Sequence, residues 1–214
     1  MYPAIIPPGA AHVHPVHSLA SVDPATTVLV GAVLSSILSD FMLRSTGASE
    51  LSFTNVSSLP FPQKVADTER LKELYLRLNC LTAAYANLWQ EVTAEPWTIN
   101  TPLRNAWDRQ IAQIEIDAIV AHSLGITVDE LCMIYRTQFP VMRRYDEEDR
   151  FDANGRHVPK EILKTDAKLK DGQELSEADR TWVHPQSEVT YVFEYPFRKL
   201  DREERLQNAY SRWK

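Results

Sequence analysis

Glycine is scarce and scattered in this chain. Six glycines in 214 residues form neither a phosphate-binding loop nor a dinucleotide fingerprint, both of which need closely spaced glycines to bring backbone against phosphate. No Gly-x-Ser-x-Gly elbow occurs either, which excludes the hydrolase arrangement built on it. Cysteine is scarcer still. Cys80 and Cys132 are the only two, each in an apolar helical run, Leu78-Asn79-Cys80-Leu81 and Leu131-Cys132-Met133-Ile134. They read as small buried hydrophobes in a reducing compartment, not as a disulfide or a catalytic thiol. Positive charge is in deficit. The formal net charge of -6 excludes a wholly basic nucleic-acid clamp and leaves room for a local basic patch. Long apolar runs are also missing. Val28 to Ser39 is interrupted by Gly31, Ser35 and Ser36 and followed by Asp40 and Arg44, short of the ~20 residues that span a bilayer. The opening MYPAIIPPGAAHVHP lacks a basic start and is broken by prolines, unlike a secretion signal. The expectation is a soluble, cytoplasmic protein with no membrane partner.

What is present is enough apolar residue, 44%, to bury a core in one large unit or two small ones. Charged residues make up 24%, a composition that folds. Residues 1–26 read as extended or looped. Val30, Val33, Leu34, Ile37, Leu38 and Phe41 recur at three- and four-residue steps and predict a helix from Thr27 to Ser45. Leu51 to Val56 suggests a strand. Leu59-Pro60-Phe61-Pro62 then stops both helix and strand, with Leu59 and Phe61 expected to anchor the junction in apolar surface. A longer helix is expected from about Val65 to Val92 and a third from Thr101-Pro102 to Leu124, with Gly125 past its end. Thr127 to Glu130 has capping-box spacing and starts a short fourth, with Pro140 beyond its end. Asn154-Gly155 signals a small hairpin, Val189 to Phe193 a strand, and Asp201 to Trp213 a terminal helix. Lys160 to Asp179 is charged and polar, with LKDGQELSEAD (169–179) read as a surface excursion.

Chemistry-bearing clusters are few. His12, His14 and His17 are spaced as His-x-His-x-x-His, but in a proline-rich segment with no cysteine nearby. Zinc sites ordinarily need a fourth group and rigid support, so loop histidines are the expected reading and no metal is assigned. Glu115 and Asp117 lie two apart and do not share a helix face. Asp146-Glu147-Glu148-Asp149 sits beside Arg143, Arg144 and Arg150. Together with Arg136, Tyr145, Phe151 and Arg156 these make a basic and aromatic group. Such a group meets a phosphate backbone, or is neutralised internally by the acidic run. No catalytic residue is identified.

Taken in order, the runs resemble a known family. IIPPGAAHVHPVHSLAS (5–21), VLVGAVLSSILSDFMLRSTG (28–47) and LSFTNVSSLPFP (51–62), followed by a long helix, are similar to the end of a target-recognition domain of type I specificity subunits and type IIG restriction–modification enzymes. EIDAIVAHSLGITVDELCMIYRTQFPVMRRYDEEDRFDANGRHVP (115–159) and YPFRKLDREERLQNAYSRWK (195–214) resemble the C-terminal region of large adenine-specific DNA methyltransferases of the type IIG-like class, including those of phage-defence systems. The resemblance covers most of the chain. It departs at the catalytic core. The glycine loop that binds S-adenosylmethionine and the Asn-Pro-Pro-Tyr/Phe motif are both missing, and Pro7-Pro8 follows Ile5-Ile6 rather than Asn.

The resemblance implies a mainly α fold with small β elements. Residues 1–63 would be the closing part of a target-recognition-like domain, 64–139 an antiparallel helical spacer, and 140–214 a small α+β segment. The implied partners are DNA and a methyltransferase catalytic core or subunit, and S-adenosylmethionine would sit on that core. Arg143, Arg144 and Arg156 are the expected phosphate contacts, with His12, His14 and His17 near the DNA face. The chain would be a C-terminal piece or a split-off subunit. The alternative is a protein-interaction scaffold with no DNA contact; a stand-alone enzyme would need a metal at the histidines.

Overall fold

Two serines divide what periodicity predicts as one helix. In the computed structural model, which describes residues 3–7, 9, 17–21, 23–47, 52–170 and 172–213, α1 spans Pro24–Leu34 and α2 spans Ile37–Ser45. Their axes are bent by 66°. Asp23 caps α1 by accepting the Thr26 N–H at 2.7 Å. At the bend the Ser35 and Ser36 hydroxyls donate back to the carbonyls of Ala32 and Val33 at 2.7 and 2.8 Å. Ser36 also caps α2, accepting the Ser39 N–H. Serine hydroxyls compete with the helix ladder in this way.

The expected strand at Leu51 to Val56 is instead helical. α3 spans Phe53–Ser57 behind a Ser52 cap; Leu51 lies outside the described residues. The anchoring of the Pro-Phe-Pro junction also differs from expectation. Phe61 is 46% exposed, whereas Pro62 is buried and Pro60 lines an apolar hollow with Leu38, Phe41 and Ile134.

The predicted long helix from Val65 to Val92 is likewise two, α4 (Thr68–Asn79) and α5 (Ala86–Thr93), joined through a 3-10 turn at Ala83–Tyr85. Tertiary partners account for the break. The Cys80 carbonyl accepts the Trp97 indole N–H at 2.9 Å, the Leu81 carbonyl accepts Arg104, and the Asn79 side chain accepts the Ile5 N–H.

α6 (Ala106–Ser123) starts at Asn105, whose side chain accepts the Asp108 N–H at 2.7 Å. α7 (Val128–Gln138) carries the complete Thr127/Glu130 capping box. Pro140 does more than end α7: it occupies the first turn of α8 (Pro140–Glu148), where its missing N–H is harmless. Asn154-Gly155, with Gly155 at φ +76°, turns the chain inside a single antiparallel bridge between Phe151 and His157. α9 (Lys160–Asp166) follows. β1 (Thr181–Val183) and β2 (Thr190–Val192) pair antiparallel with Trp182 opposite Tyr191. α10 (Arg202–Tyr210) closes the fold.

The chain is therefore mainly α with small β elements, and α6 is its axle. One side of α6 (Ala112, Ile116, Ile119, Val120) packs with Val28 and Val33 of α1, Leu71, Leu74 and Leu78 of α4 and Trp89 of α5. The other side (Ile114, Ala118, Ala121) packs with Leu38 of α2, Leu131 of α7 and Leu206 of α10. A smaller cluster of Val158, Ile162, Leu175 and Phe193 underlies the hairpin. Elements from 1–63, 64–139 and 140–214 thus share cores. Among the described residues no single helix is long and apolar enough to cross a membrane, and the bent pair α1 and α2 sends Val28, Ala32, Val33, Ile37 and Leu38 into the interior.

Candidate nucleic-acid interface

Two of the predicted contact residues, Arg143 and Arg144, stand side by side on α8. That helix buries none of its residues fully, and Val141 and Tyr145 on it are 58% and 46% exposed. Arg143 donates to the Arg136 carbonyl at 3.1 Å and reaches Glu147, one turn on, at 3.6 Å. An exposed pair of that length holds its arginine loosely. Arg144 has no carboxylate within 4 Å among the described residues and lies over the Tyr145 ring at 5.4 Å.

The acidic run beside them is partnered by side chains from elsewhere in the chain. Asp146 takes Arg202 on both oxygens, at 2.6 and 3.1 Å, and the Tyr135 hydroxyl at 2.8 Å. Arg202 is itself buried and also donates to Gln110. Glu148 pairs with Lys160 at 3.2 Å and Asp149 with His157 at 2.9 Å. Internal neutralisation therefore holds for most of the run, while Arg144 is left out of it. Between α8 and α10 lies a groove of about 430 Å³ lined by Tyr135, Arg143, Glu147, Lys199 and Glu203. Its mixed charges suit no single ionic ligand.

Arg156 is placed differently. Its guanidinium grips Asp152, whose side chain is fully buried, through Nε at 2.9 Å and Nη2. It also donates to the Val192 carbonyl and lies over the Phe193 ring at 4.9 Å. Asp152 further accepts the backbone N–H groups of Asn154 and Arg156. This pair builds the Asn154-Gly155 turn and ties it to β2. His17 is exposed; His12 and His14 lie outside the described residues.

No group of three His, Cys, Asp or Glu among the described residues is arranged to hold a metal ion. Both cysteines are buried and free, and burial pushes each thiol up to about 11, which leaves little nucleophilic thiolate at neutral pH. Comparison with family models, curated proteins and solved structures gave no match to this chain.

One basic and aromatic arrangement escapes the sequence reading. Arg198 and Arg205 both lie over the ring of Trp107, with guanidinium carbons 4.6 and 5.5 Å from its centre. They are remote in sequence from Trp107, and the run FRKLDREER reads only as the approach to a terminal helix. No local signal announces the stack.

Proposed function

We propose that this chain is the DNA-recognition and scaffold portion of an adenine-specific DNA methyltransferase system, of the restriction–modification or phage-defence kind, without the catalytic core. One observation carries the reading. The two runs that most resemble the C-terminal region of these enzymes, 115–159 and 195–214, are knitted together. Phe151 bridges to Arg198, Asp146 pairs with Arg202, and the Tyr210 hydroxyl donates to the Ile126 carbonyl at 3.0 Å. That the two runs resembling one family also pack on one another supports the reading. In this reading the methyl group and S-adenosylmethionine belong to a partner subunit or a separate core. The chain positions DNA against it in the cytoplasm. Arg143 and Arg144 touch the phosphate backbone, and His12, His14 and His17 are further contact candidates.

Phosphate contact has a thermodynamic signature, because each neutralised phosphate releases counterions. The logarithm of affinity for duplex DNA should fall linearly with the logarithm of salt concentration. Arg143→Ala with Arg144→Ala should reduce that slope by about 2. An unchanged slope and affinity, for the chain alone and with a methyltransferase partner, removes the arginine assignment.

A second reading, a scaffold without DNA contact, is favoured by the net charge of -6 and by the commitment of Arg156 to Asp152. It predicts capture of a methyltransferase partner at high salt and without DNA, with no salt-dependent DNA affinity.

A further inference from the structure

We infer that Arg198 and Arg205, mounted on Trp107, form a second contact point for the sugar–phosphate backbone of nucleic acid; this rests on the DNA-binding reading above and extends it beyond α8.

The platform is rigid. Trp107 sits in the first turn of α6, its backbone N–H donates to the Gly155 carbonyl at 2.9 Å, and Phe151 meets its ring edge-on at 5.4 Å. Gly155 is pressed so close that a methyl group there would lie 3.1 Å from the Trp107 Cβ and 2.7 Å from Asn105 Oδ1. The indole therefore has little freedom to swing.

The cations on it are under-neutralised. Among the described residues neither arginine has a carboxylate within 4 Å, and the Arg205 side chain has no hydrogen bond. Arg198 reaches only the carbonyls of Asp152 and Ala153, at 3.3 and 3.4 Å, and its Nε is buried without an acceptor. Arg202, between them in sequence, shows the contrast: it turns inward and takes Asp146 in a two-point grip. Two carboxylates adjacent in sequence to Trp107 and to Arg202 have other duties. Asp108 accepts the Asn105 amide and Asp201 caps α10 by accepting the Glu204 N–H at 3.0 Å.

Stacking on indole holds a guanidinium in a fixed plane while leaving its N–H edge open. That edge matches two phosphate oxygens. Arg205 offers that edge in full, and Arg198, with its Nε buried and its Nη2 on two carbonyls, adds its charge beside it; the pair matches a ligand with repeated anionic groups. α8 and α10 are already tied through Asp146 and Arg202, so the new point and Arg143/Arg144 belong to one rigid part of the fold.

The test uses the full chain, a short fluorescein-labelled duplex of arbitrary sequence, and anisotropy titrations from 50 to 200 mM salt. Arg198→Ala with Arg205→Ala should weaken binding and lower the salt slope by about 2. Arg205→Gln alone, at an exposed position, should lower it by about 1 and keeps the test open should the double variant fail to fold. Replacing both by lysine should restore the slope but only part of the affinity, because ammonium keeps the charge and loses the fork. A purely structural role for the stack would leave the slope of the folded protein alone. An unchanged slope in Arg205→Gln and the double variant, with a reduced slope in the Arg143/Arg144 variant, overturns the stack and leaves the DNA reading standing. Absence of salt-dependent DNA binding in the unaltered chain overturns both. Binding of polyglutamate that is lost in Arg205→Gln while duplex affinity is unchanged also overturns it, in favour of an acidic protein partner.

Discussion

Asp117, midway along α6, accepts the backbone N–H of Ile37 at 2.8 Å across 80 positions of chain. That N–H is one of the orphan donors at the start of α2, so a side chain from the central helix holds the bend between α1 and α2. Gln113 adds a bond to the same oxygen at 3.3 Å and another to the Ser35 carbonyl at 3.0 Å. The bend is thus fixed from both ends, by local serines and by α6.

The same residue makes stability depend on pH. Burial lifts the Asp117 carboxyl from 3.8 to about 6, against the opposing pull of the Ile37 N–H, the Arg202 charge and Gln113. Because the folded state holds the proton more tightly, this contribution is complete below about pH 4 and is lost as pH rises through 6. By pH 7 the ionised carboxyl leaves the folded chain roughly 3 kcal/mol less stable than at low pH. Asp117→Asn keeps an acceptor and cannot titrate. In urea unfolding at stepped pH, the wild-type advantage over the variant should shrink by about 3 kcal/mol between pH 4 and 7. A pH-independent difference would show that the carboxylate is not strained by burial.

Arg156 separates stability from binding. Asp152 is fully buried and depends on Arg156 for its countercharge. Removing one partner of a buried pair leaves a naked charge and costs about 3–5 kcal/mol in deep sites. The Arg156 side chain is 31% exposed, so Arg156→Ala should cost nearer 2–3 kcal/mol after solvent relief. The salt slope of DNA binding, measured on the folded fraction, should not change. A reduced slope with undiminished stability would return Arg156 to the phosphate-contacting group.

Local features were legible before the structure and tertiary ones were not. The Thr127/Glu130 capping box, the Asn154-Gly155 turn, the strand around Thr190–Val192 and α10 each depend on residues within a few positions, and each lies where their pattern puts it. Ser35 and Ser36 fell within one periodic helix, Thr27 to Ser45, because the Asp117 contact that completes the bend is remote. The break after Asn79 needs Ile5 and Trp97 as partners, which periodicity within 65–92 does not contain. For the candidate site, the clustering of arginine and aromatics was visible in composition. Which arginines are occupied was not: Asp152 lies four residues from Arg156 and its grip was in principle readable, but Arg202 finds Asp146 only 56 positions away.

Gly31 tests how tightly α1 meets α4. A Cβ built there would lie 2.6 Å from both Cε1 and Oη of Tyr75, and Tyr75 is 2% exposed in the core. The ring has no solvent to move into. Alanine is about 1 kcal/mol better than glycine in a helix interior, yet overpacking costs about 1–3 kcal/mol. Gly31→Ala should therefore be net destabilising in urea. Combined with Tyr75→Leu it should lose less than the two single changes added together, since the clash is shared. Additive losses would place Gly31 away from the ring.

Thiol reactivity tests both halves of the core at once. Cys80 is fully buried among the α1, α4 and α5 residues, and Cys132 is 1% exposed among those of α2, α7 and α10. Burial also raises both thiols to about 11, so at pH 8 only about one in a thousand would be thiolate even if reagent had access. A disulfide-exchange reagent should read almost no fast thiol in the native chain and two equivalents after denaturation. Because reaction then waits on opening of each cluster, the two thiols need not appear together. Cys80→Ala and Cys132→Ala assign the phases, and the slower one reports the more stable side of α6. Two equivalents released immediately under native conditions would contradict the burial of both sites.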